Sequence, residues 1–468
     1  MLDGKSEAPN GTLSLSRSLR SRHVAMISIG GIIGAGLFVG SSAAIAAVGP
    51  AVICSYVIAG VLILLSMRML GELALANPGV AFFTDYARKA LGHSWGFVGG
   101  WLYWYFWMIV VAVEALAGAI ILHDQWIAFP VWLIGLVLLA CLTAVNLLSA
   151  RSYGEFEFWF SSIKVAAIIA FIAVTGSYVL GLTSHAGPDY SNLVRFGGFA
   201  PFGALSALAG VATVIFSLTG AEIATVAAVE SKEPARAIAS MTTTLTIRVL
   251  LFYVVSIFLI LCTVGWNTIK PGTSPFVAAL VQVGVPGATL VMNIVVLTAV
   301  LSCLNSGLYV TSRVLFALAA NGDAPQALVS LTRRRVPARA ILTGSIFGYA
   351  ALIASVVSPT GVFSFLVNAS GAAMLVLYFV IGLAQIRQRN TMSRADLAAL
   401  PLKMWLFPWL SYAAQAGILA VLIAMLFIPD LASQLYTTLL FVVFLWLIYF
   451  ALRRARPYRA TSDVEAQR

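Results

Sequence analysis

Three ionisable residues, Glu114, Lys164 and Glu222, sit deep inside long apolar runs of this chain. A charge at the centre of a lipid-embedded helix costs at least ~2.5 kcal/mol on insertion scales, so such residues mark a functional pathway by default. Two carboxyls and an amine in that setting can hold the charged ends of a small substrate or carry a proton. A buried Lys is well suited to taking up and releasing one. The plainer alternative for each is a structural ion pair or a bond to neighbouring backbone.

Their surroundings sharpen the choice. Glu114 closes the aromatic stretch "WLYWYFWMIVVAVEALAG", where Tyr103, Trp107, Val110 and Glu114 recur at i, i+4, i+7 and i+11 and so share one helical face. Two aromatics and a carboxylate on one face read as a lined cavity, since an unpaired carboxylate cannot face lipid. Bundle packing with an aromatic interface belt is the bland counterpart. Lys164 lies in "EFEFWFSSIKVAAIIAF", near the limit of snorkelling, at roughly 14 Å of helical rise past Glu155. Glu222 belongs to "SLTGAE", a polar cluster with Ser217, Thr219 and Gly220 inside another apolar run. A fourth stretch, "SIGGIIGAGLFVG" (28–40), fills a membrane-length run with glycines, each costing about 1 kcal/mol against Ala in a helix interior.

The elements that must position these groups are membrane-spanning helices. The 468 residues are 61% hydrophobic and 10% charged, with mean hydropathy +0.97, against about 25% charged in soluble domains. Apolar runs recur along the whole chain, which predicts about twelve spans of ~20 residues. They fall near 23–48, 52–76, 96–122, 131–150, 155–181, 205–228, 245–266, 286–318, 339–358, 362–385, 406–428 and 433–452. The breaks between them carry turn chemistry such as Gly49-Pro50, Asn77-Pro78-Gly79 and Pro271-Gly272. Met1–Arg22 is polar and basic without a signal-peptide pattern, so the first span is expected to stay.

Of the 28 Lys and Arg, only Arg195 and Lys270 fall on the side opposite the termini, and Lys164 lies within a span. The positive-inside rule then puts both termini in the cytoplasm. The same distribution accounts for the net charge of +11 through anionic lipid headgroups rather than nucleic acid. Cys54, Cys141, Cys262 and Cys303 fall in apolar runs without metal-ligand spacing and read as small buried hydrophobes. His23, His93, His123 and His185 are scattered at span ends and loops, which reads as interfacial rather than metal-binding. No nucleophile-and-base pair or phosphate loop argues for an enzyme, and the dispersed intramembrane charges do not form the ring of a channel.

The first and sixth spans are both interrupted, five spans apart. Interrupted segments at matching positions of two halves are the sequence pointer to a transporter binding site at the bilayer midplane. Irregular backbone at that depth is tolerated only where protein or water surrounds it. Freed N–H groups can hold a carboxylate and freed carbonyls an ammonium, so a zwitterion suits such a site.

The stretches "SRHVAMISIGGIIGAGLFVGSS", "GWLYWYFWMIVVAVEALA", "YGEFEFWFSSIKV", "FSLTGAEIATVAAVES" and "SCLNSGLYVTSRVLFALAANGDAP" occur in that order. With them the chain resembles the amino acid–polyamine–organocation superfamily, and within it the bacterial amino acid permeases, most of all those for γ-aminobutyrate (GABA). The resemblance implies an all-α membrane fold of twelve helices. It implies a five-plus-five inverted repeat of the LeuT-like type, with helices 1 and 6 discontinuous and two further helices at the C-terminal end. The repeats would be 23–181 and 205–385, joined by an outer loop 182–204. A cytoplasmic loop 386–405, helices at 406–452 and tails 1–22 and 453–468 complete the chain.

The resemblance also implies proton-coupled import of an amino acid across a bacterial inner membrane. It implies no cofactor, H+ as coupling ion, a small-molecule substrate, a lipid surround, and no nucleic acid or obligatory protein partner. By resemblance, Ile33, Gly34, Ala35 and Gly36 match the unwound part of the first helix that binds the substrate carboxylate. Phe216, Ser217, Leu218 and Gly220 match the break in the sixth, while Tyr103, Trp107 and Glu114 match third-helix positions facing the pocket. Lys164 matches a lysine standing where sodium-coupled relatives hold sodium, and Glu222 an acid implicated in coupling. Ala35 stands where the commonest pattern has Thr or Ser, which removes a hydroxyl contact to the carboxylate. A permease for another neutral amino acid (proline, alanine, glycine or D-serine) and an amino acid sensor on the same fold stay open as alternatives.

Overall fold

The computed structural model describes residues 33–77, 83–148, 150–183, 190–220, 222, 249–332 and 336–455. These residues are helical nearly throughout, with no strand among them. Gly30 and Gly31, the stretch 223–248, Arg333–Arg335 and most of both terminal tails lie outside the described residues.

A π-helical turn over Gly36–Gly40 precedes the regular helix α1 (Ser41–Val48). Gly49-Pro50 ends α1 and leads into α2 (Val52–Ala76). There follow a short amphipathic α3 (Phe83–Leu91), then α4 (His93–Gln125), α5 (Val131–Leu148) and α6 (Ala150–Val179). Beyond the loop come two short helices, α7 (Ala204–Ala209) and α8 (Val211–Leu218), then α9 (Ser256–Thr263) and α10 (Pro275–Val283). The remainder is α11 (Ala288–Ala320), α12 (Ala338–Ala354), α13 (Pro359–Thr391), α14 (Arg394–Ala399), α15 (Trp409–Met425) and α16 (Pro429–Ala455).

Among the described residues, six helical stretches are long and apolar enough to cross a membrane, the first being the continuous run 36–76. Five shorter apolar helices accompany them. Burial separates pillars from periphery. The apolar window of α4 is 89% buried, whereas those of α6 and α16 are only 28% and 22% buried. α4 packs against α11, α13, α5 and α12, so it carries its aromatic face into the centre of the bundle. Leu440 and Leu447 on α16 and Trp409 on α15 point outward instead. In a lipid solvent that surface needs no further cover.

This division corrects the expectation that all four cysteines are buried. Cys262 and Cys303 are, but Cys54 on α2 and Cys141 on α5 are exposed on the outer surface. An apolar run looks the same whether it faces protein or lipid, so burial could not be read from composition.

Candidate functional site

The site forms where the first described helical run begins and where α8 ends. In the first, Ala35 opens the π-helical turn and its backbone N–H is not used within it. That N–H donates instead to both carboxylate oxygens of Glu114 on α4, at 3.1 Å each. Glu114 is 1% exposed, so the break in one helix and the buried charge of another satisfy each other. The Cys303 thiol on α11 hydrogen-bonds the same carboxylate.

The second break follows α8. Its helix stops at Leu218, Thr219 is extended (φ −72°, ψ 161°) and Gly220 takes φ +102°. Only glycine adopts that conformation without strain, which is why the polar cluster breaks here. The freed groups are met locally. Thr219 Oγ1 donates to the Phe216 carbonyl at 2.8 Å, and the Gly220 N–H donates to Glu222 Oε2 at 3.0 Å. The Tyr103 hydroxyl from α4 donates to Glu222 Oε1 at 3.4 Å.

The two breaks touch. Ser217 Oγ donates to the Gly36 carbonyl at 2.9 Å, and the Tyr56 hydroxyl of α2 lies 3.4 Å from the same Ser217 oxygen. A Cβ at Gly36 would sit 2.6 Å from Ser217 Cα, a backbone atom that cannot yield cheaply. Gly36 is therefore the residue that lets the two irregular segments meet.

Around this junction Gly36, Trp107, Val110, Glu114, Phe216, Thr219 and Cys303 enclose a narrow cavity with room for about one water. Its lining holds an anionic group, a hydroxyl, a thiol and aromatic faces. Trp107 meets Tyr103 edge to face at 6.2 Å between ring centroids. Polar groups at two helix breaks against an aromatic wall are suited to a small ligand carrying both charges.

Four of the expected binding residues line this cavity: Gly36, Trp107, Glu114 and Phe216. Ala35 and Ser217 act just behind it through the bonds above. Ile33 and Leu218 are buried in the apolar core, Gly34 lies against Glu114 and Cys303, and Tyr103 and Gly220 belong to the Glu222 cluster. Lys164 is fully buried on α6 and its Nζ donates to Ser302 Oγ on α11 at 2.9 Å.

Sequence reasoning missed Thr219, Cys303, Tyr56 and Ser302 as site residues. Ser302 and Cys303 open the stretch "SCLNSGLYVTSRVLFALAANGDAP", where nothing local marks them as facing the site. In the same stretch Asn305 accepts from Asn146 Nδ2 at 2.7 Å, a bond that ties α11 to α5. Among the histidines, His93 pairs with Asp323 at 3.4 Å and His123 Nδ1 lies 2.8 Å from the Phe129 carbonyl. His23 and His185 lie outside the described residues.

The family model for amino acid permeases matches residues 23–459. The chain is 44% identical to the γ-aminobutyric acid permease of Bacillus subtilis, over 97% of both chains. It is 43% identical to a probable GABA permease of Pseudomonas aeruginosa, over 94% of this chain and 93% of that one. It is 41% identical to the γ-aminobutyric acid permease of Escherichia coli, over 93% of each. These relatives are transporters, not enzymes. With its family match spanning nearly all its length and its 44% identity to a permease over 97% of both chains, this chain belongs to the amino acid permease family.

Proposed function

We propose that the chain is a secondary carrier that imports GABA, or a similarly short zwitterion, with protons by alternating access. The observation that carries the reading is the junction of the two breaks, where the Ala35 amide already holds a carboxylate, that of Glu114. The similarity to three proteins named for GABA supports the substrate.

In this reading the substrate carboxylate takes the N–H groups near Gly34–Gly36. Glu114, displaced from Ala35, then meets the substrate ammonium, which also faces the Phe216 and Ser217 carbonyls. GABA separates its charges by several bonds, so one end can reach each break. Phe216 closes over the pocket, with Trp107 and Tyr103 as the opposite wall. Lys164 and Glu222 hold the coupled proton, Lys164 beside α11 and Glu222 at the second break.

The proposed architecture has twelve crossings in a five-plus-five inverted repeat with two further helices. The run 36–76 contributes to two crossings because Gly49-Pro50 divides it, and the five shorter apolar helices contribute to the others. Both termini face the cytoplasm and the membrane is the bacterial inner membrane.

The test is uptake of labelled GABA into proteoliposomes, without sodium, with and without an inward proton gradient, and with unlabelled amino acids as competitors. Gradient-driven uptake blocked by GABA supports the whole reading. Uptake of a different amino acid keeps the mechanism and changes the substrate, and transport of none removes the carrier reading.

A further inference from the structure

The segment 400–408, between α14 and α15, crosses one end of the bundle and is pinned there through its main chain. The Met404 N–H donates to Glu72 Oε2 on α2, and the Met404 carbonyl accepts from Arg389 Nη1 on α13 at 3.3 Å. The Lys403 carbonyl accepts from Arg68 Nε, also on α2, at 2.8 Å. Leu402 and Met404 are buried beneath the segment, whereas Trp405 and Leu406 stand out from it.

Charge at this end does not balance. Arg389 meets Glu72 at 2.8 Å, and Gln385 Nε2 takes the second carboxylate oxygen. Glu72 lies near Arg68 as well, but a single carboxylate neutralises a single cation. Among the described residues neither Arg68 nor Lys403 has a carboxylate within ion-pair distance. Arg68 carries five N–H donors and commits only the one on Nε. Lys403 Nζ reaches only the Ala398 carbonyl, at 3.4 Å. Two neighbouring cations are therefore left with donors to spare.

The aromatic side chains beside them fix their level in the membrane. The Arg68 guanidinium lies 3.8 Å from the centre of the Trp405 ring. Trp405, Leu406 and Trp409 are 43%, 75% and 76% exposed, and Trp409 opens the apolar helix α15. Large rings bared next to cations at the start of an apolar helix belong at the headgroup level of a bilayer. Further along, α15 exposes Tyr412, Leu419 and Ile423 at i, i+7 and i+11, an apolar stripe running on into the hydrocarbon.

We propose that Arg68 and Lys403, with the Trp405 ring as platform, bind the phosphate of an anionic phospholipid whose acyl chain lies along the outer face of α15. A guanidinium matches two phosphate oxygens with parallel N–H groups, and the lysine adds a point charge. A choline or ethanolamine headgroup would bring a further cation to a place with no free carboxylate to meet it. A glycerol headgroup brings none. The bound lipid ties α2 to the segment that enters α15 and so steadies this end of the bundle. The leaflet is the cytoplasmic one, and that point alone rests on the proposed topology.

The test uses the full chain in mild detergent, with thermal unfolding followed as dioleoyl-phosphatidylglycerol or dioleoyl-phosphatidylcholine is added. Phosphatidylglycerol is expected to raise the unfolding temperature at concentrations on the order of twentyfold lower, since each cation favours an anionic lipid about fivefold. Lys403→Gln keeps the carbonyl that Arg68 uses and should lose about fivefold of that preference. Arg68→Gln should lose a similar share. Because it also gives up its bond to the segment, Lys403→Gln decides the matter if Arg68→Gln does not fold. Lys270→Gln, remote from the site, should keep the whole preference.

Equal action of the two lipids on the unaltered chain overturns the site, and so does an undiminished preference in Lys403→Gln. Sodium phosphate acting at the same concentrations as phosphatidylglycerol would make this a site for a free anion and overturn the lipid. None of these readouts involves transport, so a failure of the carrier reading leaves the lipid site standing.

Discussion

Glu114 holds the backbone N–H of Ala35 with both carboxylate oxygens at 3.1 Å, across 79 residues of sequence. The chain thus seats one of its own carboxylates on the amide that the proposed function gives to the substrate carboxylate. The remaining charge of Glu114 looks into a cavity walled by Trp107 and Phe216.

Glu114→Gln follows directly. A glutamine oxygen still accepts from Ala35, so the break keeps its partner and thermal stability in detergent stays close to that of the unaltered chain. The charge proposed to meet the substrate ammonium is gone. A charge-assisted hydrogen bond is worth about twice a neutral one, so KM for uptake should rise about tenfold. An unchanged KM would confine Glu114 to holding the first break.

Gly36→Ala tests the contact between the breaks. Its methyl would stand 2.6 Å from Ser217 Cα and push the two irregular segments apart, breaking the 2.9 Å bond from Ser217 to the Gly36 carbonyl. Substrate binding, read as ligand-induced thermal stabilisation, should be lost. Ser217→Ala keeps the contact and removes one hydrogen bond, so it should weaken the same signal by about 1 kcal/mol without abolishing it. Equal effects from both substitutions would mean that the bond, and not the close approach, holds the junction.

The breaks are legible in the sequence because glycine and small polar residues weaken a helix, and an apolar run gains nothing from several of them together. "SLTGAE" marks the second to within a residue, and Thr219 and Gly220 are where α8 stops. The face of Tyr103, Trp107, Val110 and Glu114 is legible because helical periodicity fixes which residues share a side, and three of these four line the cavity. What meets that face is not. Nothing local in the sequence says that Ala35 will donate to Glu114 or that Ser302 will meet Lys164, since each pair joins segments far apart in the chain. The outward-facing Cys54 and Cys141 escape for a related reason. Lipid and protein interior select the same apolar residues, so hydropathy locates a span without saying which face it buries.

Lys164→Gln separates coupling from binding. Glutamine can still bond Ser302 Oγ, so α6 and α11 should keep their contact. It cannot carry a proton. Uptake should lose its response to an inward proton gradient, while exchange of labelled for unlabelled substrate persists. Gradient-driven uptake at the normal rate in this variant would remove Lys164 from the coupling step.

Arg389 and Glu72 give a prediction about stability. Their side chains are 12% and 3% exposed and meet at 2.8 Å, with Arg389 also 4.3 Å above the Phe407 ring. Removing one partner of a buried pair strands the other, at about 3–5 kcal/mol when burial is complete. Arg389→Leu leaves the Glu72 carboxylate to Gln385, the Met404 N–H and the charge of nearby Arg68. It should therefore shorten the half-life of the protein in detergent at elevated temperature. Adding Glu72→Leu to that variant removes the stranded charge and should recover part of the loss. A double variant no more stable than Arg389→Leu alone would show that the damage comes from the lost stacking on Phe407 and the lost 3.3 Å bond from Arg389 Nη1 to the Met404 carbonyl, and that the charge pair itself contributes little.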